Sequence, residues 1–305
     1  MKKSHLFLLA LTLAGLCANC VNSAAQRGKS RGFSINTGNN ETITDCGQIT
    51  MRVDDLQVVR SEQEQTLPKS AVSSLRIQAA NRGGIQVSGW DRDQYSIKAC
   101  LGAAGNSAEA AQRLLSQIAL SAQEGRVTVT GPGDENWMGY LIIRAPNGAA
   151  MELEAKNAPI GVSSIMGSIE ARNQNGPVTL NDVDGQVHAE VVNGPISFAG
   201  SRGEHRLNVR NGPLSVELLG SRWESGGLEG HTENGPVSLS LPPDYQSAVQ
   251  VDTSKHSPVE CRAAQCKEAA RTWDRPNLIA FGGPNPVIRL STMNGPTTVT
   301  SSRAK

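Results

Sequence analysis

Asn175-Gly176-Pro177-Val178-Thr179-Leu180-Asn181-Asp182-Val183-Asp184-Gly185-Gln186-Val187-His188-Ala189-Glu190-Val191-Val192 is followed at once by Asn193-Gly194-Pro195, and the pattern begins again. The Asn-Gly-Pro triplet returns at Asn211-Gly212-Pro213, Asn234-Gly235-Pro236 and Asn294-Gly295-Pro296. Asn157-Ala158-Pro159 precedes the series as a variant. The step is 18 residues from Asn157 to Asn175, to Asn193 and to Asn211. It lengthens to 23 at Asn234, which places a five-residue insertion near Ser221–Ser225. A fixed period of this size is the signature of stacked repeats.

Inside each unit the same positions are apolar. Three residues after the Asn stand Ile160, Val178, Ile196, Leu214 and Val237. Five after it stand Val162, Leu180, Phe198, Val216 and Leu239. A mid-unit glycine follows (Gly167, Gly185, Gly203, Gly226), then a second alternating run such as Val187/Ala189/Val191. Two period-two stretches separated by glycine turns read as two short strands per coil. One coil has too thin an apolar stripe to bury alone. Stacking aligns equivalent residues about 4.8 Å apart and closes a continuous core. Asn and Gly tolerate a sharp corner, Pro suits the first position of a strand, and stacked Asn amides form a ladder. Leucine-rich repeats share the period, but their Leu-x-x-Leu-x-Leu signature is absent. The expected fold is all-β: a single parallel β-solenoid of ~18-residue coils with short capping helices.

Aligning the coils on the mid-unit glycine stacks Glu170, His188, Arg206 and Glu229 in one outward row. The next row is Arg172, Glu190, Asn208 and His231; the third is Gln174, Val192, Arg210 and Glu233. Opposite charges recur on neighbouring rungs, and each exposed pair is worth only ~0.2–1 kcal/mol. The rows read first as a solvated face that keeps register, and second as a candidate contact face.

The flanks divide the chain. Residues 1–25 read as a secretory signal peptide: Lys2 and Lys3, an apolar run from Leu6 to Leu16, and Ser23-Ala24-Ala25 before Gln26. The run is short for a span of ~20 residues, so no stable membrane span is expected after cleavage. Lipid attachment at Cys17 or Cys20 is the lesser reading, because Leu16 and Asn19 stand where a small residue is wanted. Residues 26–44 read as a disordered arm, in which Arg27, Lys29 and Arg31 are a solvated tail. Residues 45–150 read as N-terminal β layers with a capping helix near 107–122, Ser107 being its cap. Residues 151–303 hold the repeats, with an inserted, disulfide-clipped segment near 256–285 and a second capping helix around Cys261 to Trp273.

Aromatics make up 4% of the chain, against 31 Gly and 15 Pro, which suits strands and tight turns. Losing Lys2 and Lys3 moves the formal charge from +1 to −1, so no field is available to hold nucleic acid. The mature cysteines are Cys46, Cys100, Cys261 and Cys266, and export favours disulfides. Three pairings exist; a local Cys261–Cys266 clip with a longer Cys46–Cys100 staple is preferred.

Catalytic patterns are missing. There is no Gly-x-Ser-x-Gly, no His-Glu-x-x-His and no complete phosphate loop. His188 and His231 fall in different outward rows, and His205 sits in an apolar column, so no metal set converges. Asp182 and Asp184 have Ser164/Met166 and Gly200/Arg202 as their equivalents one coil away, so no carboxylate column forms. No catalytic residue, metal or cofactor is expected.

Gly84 to Asp91 (Gly-Ile-x-Val-x-Gly-Trp-Asp), the strand ending in Ala145-Pro146, the Asn-Gly-Pro rungs and Leu241-Pro242 carry a family resemblance. Over roughly residues 72–303 the chain resembles the bacterial adhesin family with DUF4097-type β-strand repeats. The resemblance implies a β-solenoid and an envelope or surface location, and it brings no catalytic residues. The function expected is an exported, non-catalytic interaction module that binds a protein or glycan at the cell surface or envelope. The alternatives are an envelope scaffold that self-associates end to end, and a carbohydrate-active enzyme using Asp45, Asp54, Asp55 or Asp134.

Overall fold

In the computed structural model of the chain, residues 33–36, 42–133, 136–254, 257–267 and 277–302 are described. The expected signal peptide and most of the expected arm lie outside them. The N-terminal layers comprise β1 (Phe33–Asn36), β2 (Thr50–Val53), β3 (Gln57–Pro68), β4 (Leu75–Gln78), β5 (Gly83–Trp90), β6 (Gln94–Gly105), α1 (Ala108–Leu115), β7 (Ala119–Gln123), β8 (Arg126–Thr130) and β9 (Trp137–Pro146). The repeats give β10 (Ala149–Ala155), β11 (Ile160–Asn175), β12 (Val178–Asn193), β13 (Ile196–Gly200), β14 (Gly203–Asn211), β15 (Leu214–Leu218), β16 (Gly226–Asn234) and β17 (Val237–Leu241). The last part holds β18 (Val249–Thr253), β19 (Val259–Cys261), β20 (Leu278–Phe281), β21 (Ile288–Asn294) and β22 (Thr297–Ser301). The class is all-β. All strands but β1 and β2 join one 20-stranded mixed sheet.

The repeats pair in parallel and in register. β11 lies on β12 with Ile160 opposite Val178 and Asn175 opposite Asn193, an 18-residue step throughout. Two ladders result. The one that follows the prolines runs β9–β5–β11–β12–β13–β15–β17–β22–β19. The one that leads to the asparagines runs β8–β4–β10–β11–β12–β14–β16–β21–β18. Ser164 and Asp182, at φ 48 and 50, bend β11 and β12 between the two. The inward residues of both ladders form one core from Leu75 to Val299.

The corner is where register is fixed. Each Asn amide nitrogen donates to the Asn carbonyl oxygen of the preceding rung: Asn175 to Asn157 at 2.9 Å, Asn193 to Asn175 at 2.8 Å and Asn211 to Asn193 at 2.9 Å. The ladder continues from Asn234 to Asn211 at 3.0 Å and from Asn294 to Asn234 at 2.9 Å. Beside it the backbones touch. Gly194 has φ 148, and a Cβ there would run into the carbonyl oxygen of Gly176. Below the corner, Thr232 and Thr292 donate to the carbonyls of Gly212 and Gly235, each at 2.9 Å.

Several elements differ from the sequence expectations. Within the stretch read as disordered, Phe33–Asn36 is a strand antiparallel to β2, with Ile35 half-buried against a second core. Ile35 supplies the apolar contact that the polar residues around it hide in the sequence. The helix capped by Ser107 ends at Leu115, and the chain re-enters the sheet as β7. The Gln63 side chain claims that segment: it accepts from Leu120 N at 2.7 Å and donates to Ile118 O at 3.2 Å. α1 therefore lies on β6 and β3. Its approach is so close that a Cβ on Gly105 would stand 2.6 Å from Ala111 N. Of the stretch read as a second capping helix, Ala264–Lys267 forms a 3-10 turn, and residues 268–276 lie outside the described residues. The rung β21/β22, final in sequence, is not outermost: it sits between β16/β17 and β18/β19.

Both disulfides form as preferred, Cys46–Cys100 and Cys261–Cys266. The first closes 54 residues, which restricts the unfolded chain by roughly 4 kcal/mol in the loop-entropy account. It pins the 3-10 turn at Cys46–Gln48 to β6 inside the second core, where Ile49, Met51 and Val53 cover Met138, Tyr140 and Ile142.

Three substitutions test register. Asn193→Ala removes two ladder bonds in mid-stack and should cost about 1 kcal/mol in a urea titration. Ile196 is fully buried, so Ile196→Asp should abolish the folded state, while Arg206→Ala should stay within ~0.5 kcal/mol. Equal tolerance of Ile196→Asp and Arg206→Ala would disprove the register.

Candidate functional site

The two parallel ladders give the repeats two outer faces of unlike chemistry. On the asparagine-leading ladder, pairing sets Glu152, Glu170, His188, Arg206, Glu229 and Arg289 in one column. Glu154, Arg172, Glu190, Asn208 and His231 form the next. These residues bond chiefly to one another. Arg172 contacts Glu170 and reaches Glu190 at 3.9 Å. His188 Nε2 is 2.9 Å from Glu190. Arg206 and Arg289 flank Glu229 at 3.6 and 3.7 Å. His231 Nδ1 lies 2.8 Å from the Ser291 hydroxyl. The depression above Glu170, His188 and Arg206 is about 480 Å3 and shallow. Glu152, Glu170, His188 and Arg206 in it each face an opposite charge, which suits a register-keeping surface.

The proline-following ladder carries the second face, which reading the sequence for charge and motif passed over. Thr179, Ser197, Ser215, Ser238 and Thr298 stand in one outward column. Asn181, Ala199, Glu217, Ser240 and Thr300 stand in the next. Among the described residues none of these polar side chains has a hydrogen-bond or ion-pair partner. The exposed and half-exposed prolines of the corners, Pro177 to Pro296, edge the face. A groove of about 470 Å3 runs over Ser197, Ser215 and Ser238. Its signal was present in the sequence as a Ser or Thr four residues after each Asn from Asn175 onward.

Traced toward β9, the same columns change character. Thr179 lies next to Gly161, then Gln86, then Ile142. Ile142 is covered by the second core, and Gln86, 4% exposed, marks the boundary. The N-terminal layer thus covers one end of the face, and the Ser/Thr columns continue it uncovered.

Inside the stack, His205 interrupts the column of Ile169, Val187 and Leu228. Its ring is 4.9 Å from Phe198 and 5.7 Å from Trp223, which the five-residue insertion delivers. Nε2 donates to Arg202 O at 2.7 Å, and Nδ1 is buried without a partner. Asp182 lies exposed at the bend, while Asp184 accepts from Gly185 N and pairs with Arg202 at 3.3 Å. Asp45 caps the Cys46–Gln48 turn; Asp134 lies outside the description. Among the described residues no group of three His, Cys, Asp or Glu is placed to hold a metal. No helix there is long and apolar enough to cross a membrane.

Burial pushes the His205 imidazole below its ordinary value of 6.5; the Arg202 carbonyl and the Asp184 and Glu204 carboxylates oppose the shift without cancelling it. The unfolded chain therefore takes the proton more readily. Stability should be full above pH 6.5 and fall as pH drops below it. His205→Phe should flatten that slope in denaturation curves run from pH 8 to pH 5. An unchanged slope would remove His205 as its source.

No family model matches the chain, so the DUF4097-type resemblance rests on the sequence motifs alone. No curated protein matches either. Solved structures do. A candidate cell adhesion protein of Clostridium sporogenes aligns at 12% identity and TM-score 0.32, covering 80% of this chain and 100% of its own. A candidate lipid-binding protein of Parabacteroides distasonis aligns at 9% and 0.36, covering 80% and 97%. A candidate adhesin of Bacteroides fragilis aligns at 7% and 0.22, covering 81% and 97%.

Proposed function

We propose that residues 149–301 form one parallel β-solenoid and that the exported chain is a non-catalytic, adhesin-like interaction module for a protein or glycan at the cell surface or envelope. The observation that carries this reading is the in-register stack itself. Its amide ladder and continuous core hold long polar faces rigid before any partner arrives, so contact costs little ordering. Two disulfides suit an oxidising compartment. The scaffold alternative needs bare parallel edges for growth. Antiparallel β7 at one end and β20 at the other weigh against it.

The test is a binding screen of the full processed chain against glycans, peptidoglycan and extracellular-matrix proteins, with light scattering on the same sample. Saturable binding by a monomer is the expected result. Failure to bind, together with filaments that grow with concentration, would replace the module with a scaffold.

A further inference from the structure

We infer that the Ser/Thr face of the proline-following ladder is the recognition surface, and that its ligand is an uncharged linear polysaccharide; this rests on the interaction-module reading above. Charge is the first argument. Across both columns from Thr179 to Thr300 the single ionisable side chain is Glu217, and Glu260, opposite Thr298 on the next rung, is paired with Arg262, so a polyanion finds no free counter-charge and a polycation only one. The opposite face pairs most of its charges internally, whereas these hydroxyls and the Asn181 amide have no partner within the described protein. A hydroxyl both donates and accepts, so it can meet either role of a sugar hydroxyl. The proline edge adds an apolar strip against which the C–H faces of sugar rings can rest.

Size and periodicity select among neutral ligands. Five rungs ~4.8 Å apart and about four residues across, at ~3.3 Å each, give roughly 250 Å2. A stable protein–protein interface needs about 800 Å2 per partner, so neither a second copy nor a globular protein is served by this face. An extended peptide would seek an open strand edge, and these strands are paired on both sides. A repeating surface of individually weak sites gains most from a repeating ligand, because each bound unit holds the next near its own site. The groove over Ser197, Ser215 and Ser238 is open to solvent above these rungs, where successive units of such a chain would lie.

The full chain would be titrated by calorimetry with laminarin and dextran as uncharged polysaccharides and with alginate as an acidic one. Binding to an uncharged polymer and not to alginate is expected. Ser197→Arg, which projects a long cation over the groove, should weaken binding at least ~10-fold, or about 1.4 kcal/mol, with an unchanged melting point. Ser238→Arg should repeat the effect if the first variant folds poorly, and Arg206→Ala on the other face should leave binding intact. Binding to alginate alone, to neither class, or equally by wild type and the Ser197 and Ser238 variants would overturn the inference. A protein hit in the wider screen with no polysaccharide bound would overturn it too, while leaving the interaction module standing.

Discussion

Everything in this fold leans on the contact between successive Asn-Gly-Pro corners. The amide ladder alone would tolerate some drift, because a side chain can rotate. The glycine contact does not: the backbone of one corner rests on the carbonyl of the one before it, with no room for a methyl group. Together they set the vertical spacing and the register. Once these are set, each inward position meets its own kind above and below, and the core fills without further specification. The variant corner fits this logic. Ala158 heads the series, where no glycine corner precedes it in sequence.

Register also explains why the two outer faces differ so plainly. A parallel stack repeats whatever stands at a position, so a charge would lie next to a like charge unless the sequence alternates them. The asparagine-leading ladder takes that course from Glu170 onward, with Glu229 between Arg206 and Arg289, while Glu152, opposite Glu170, is paired sideways with Arg76. The proline-following ladder takes another, filling its columns, Glu217 apart, with residues that carry no charge. One outer surface pairs most of its charges within itself; the other is left open to whatever shares its polarity.

The repeat was legible in the sequence because it is local: an 18-residue step can be read without knowing the fold. The stacked rows of Glu170 and Arg172 follow from that step alone. What lay hidden was non-local. β3 is rich in Gln, Glu and Ser, residues that do not announce a strand, yet it pairs with β6 over its whole length. The jump from Asn234 to Asn294 passes over 60 residues, too far for periodicity to show which rung lies beside which. The open face was invisible for a different reason. Serine and threonine signal nothing singly, and their meaning comes from being stacked.

The rung made by β21 and β22 sits inside the stack, although residues 249–261 precede it in sequence. On the ribosome the coils can add one upon another as far as Leu241, since each new rung finds its template already in place. The next segment finds none: the neighbour it will share is still to be made. β18 can pair with β20 beforehand, but its parallel neighbour is missing until residues 288–301 arrive between the two surfaces. Completion of the stack is therefore a single late event, and an unfinished chain presents an open β-edge to its surroundings until it occurs.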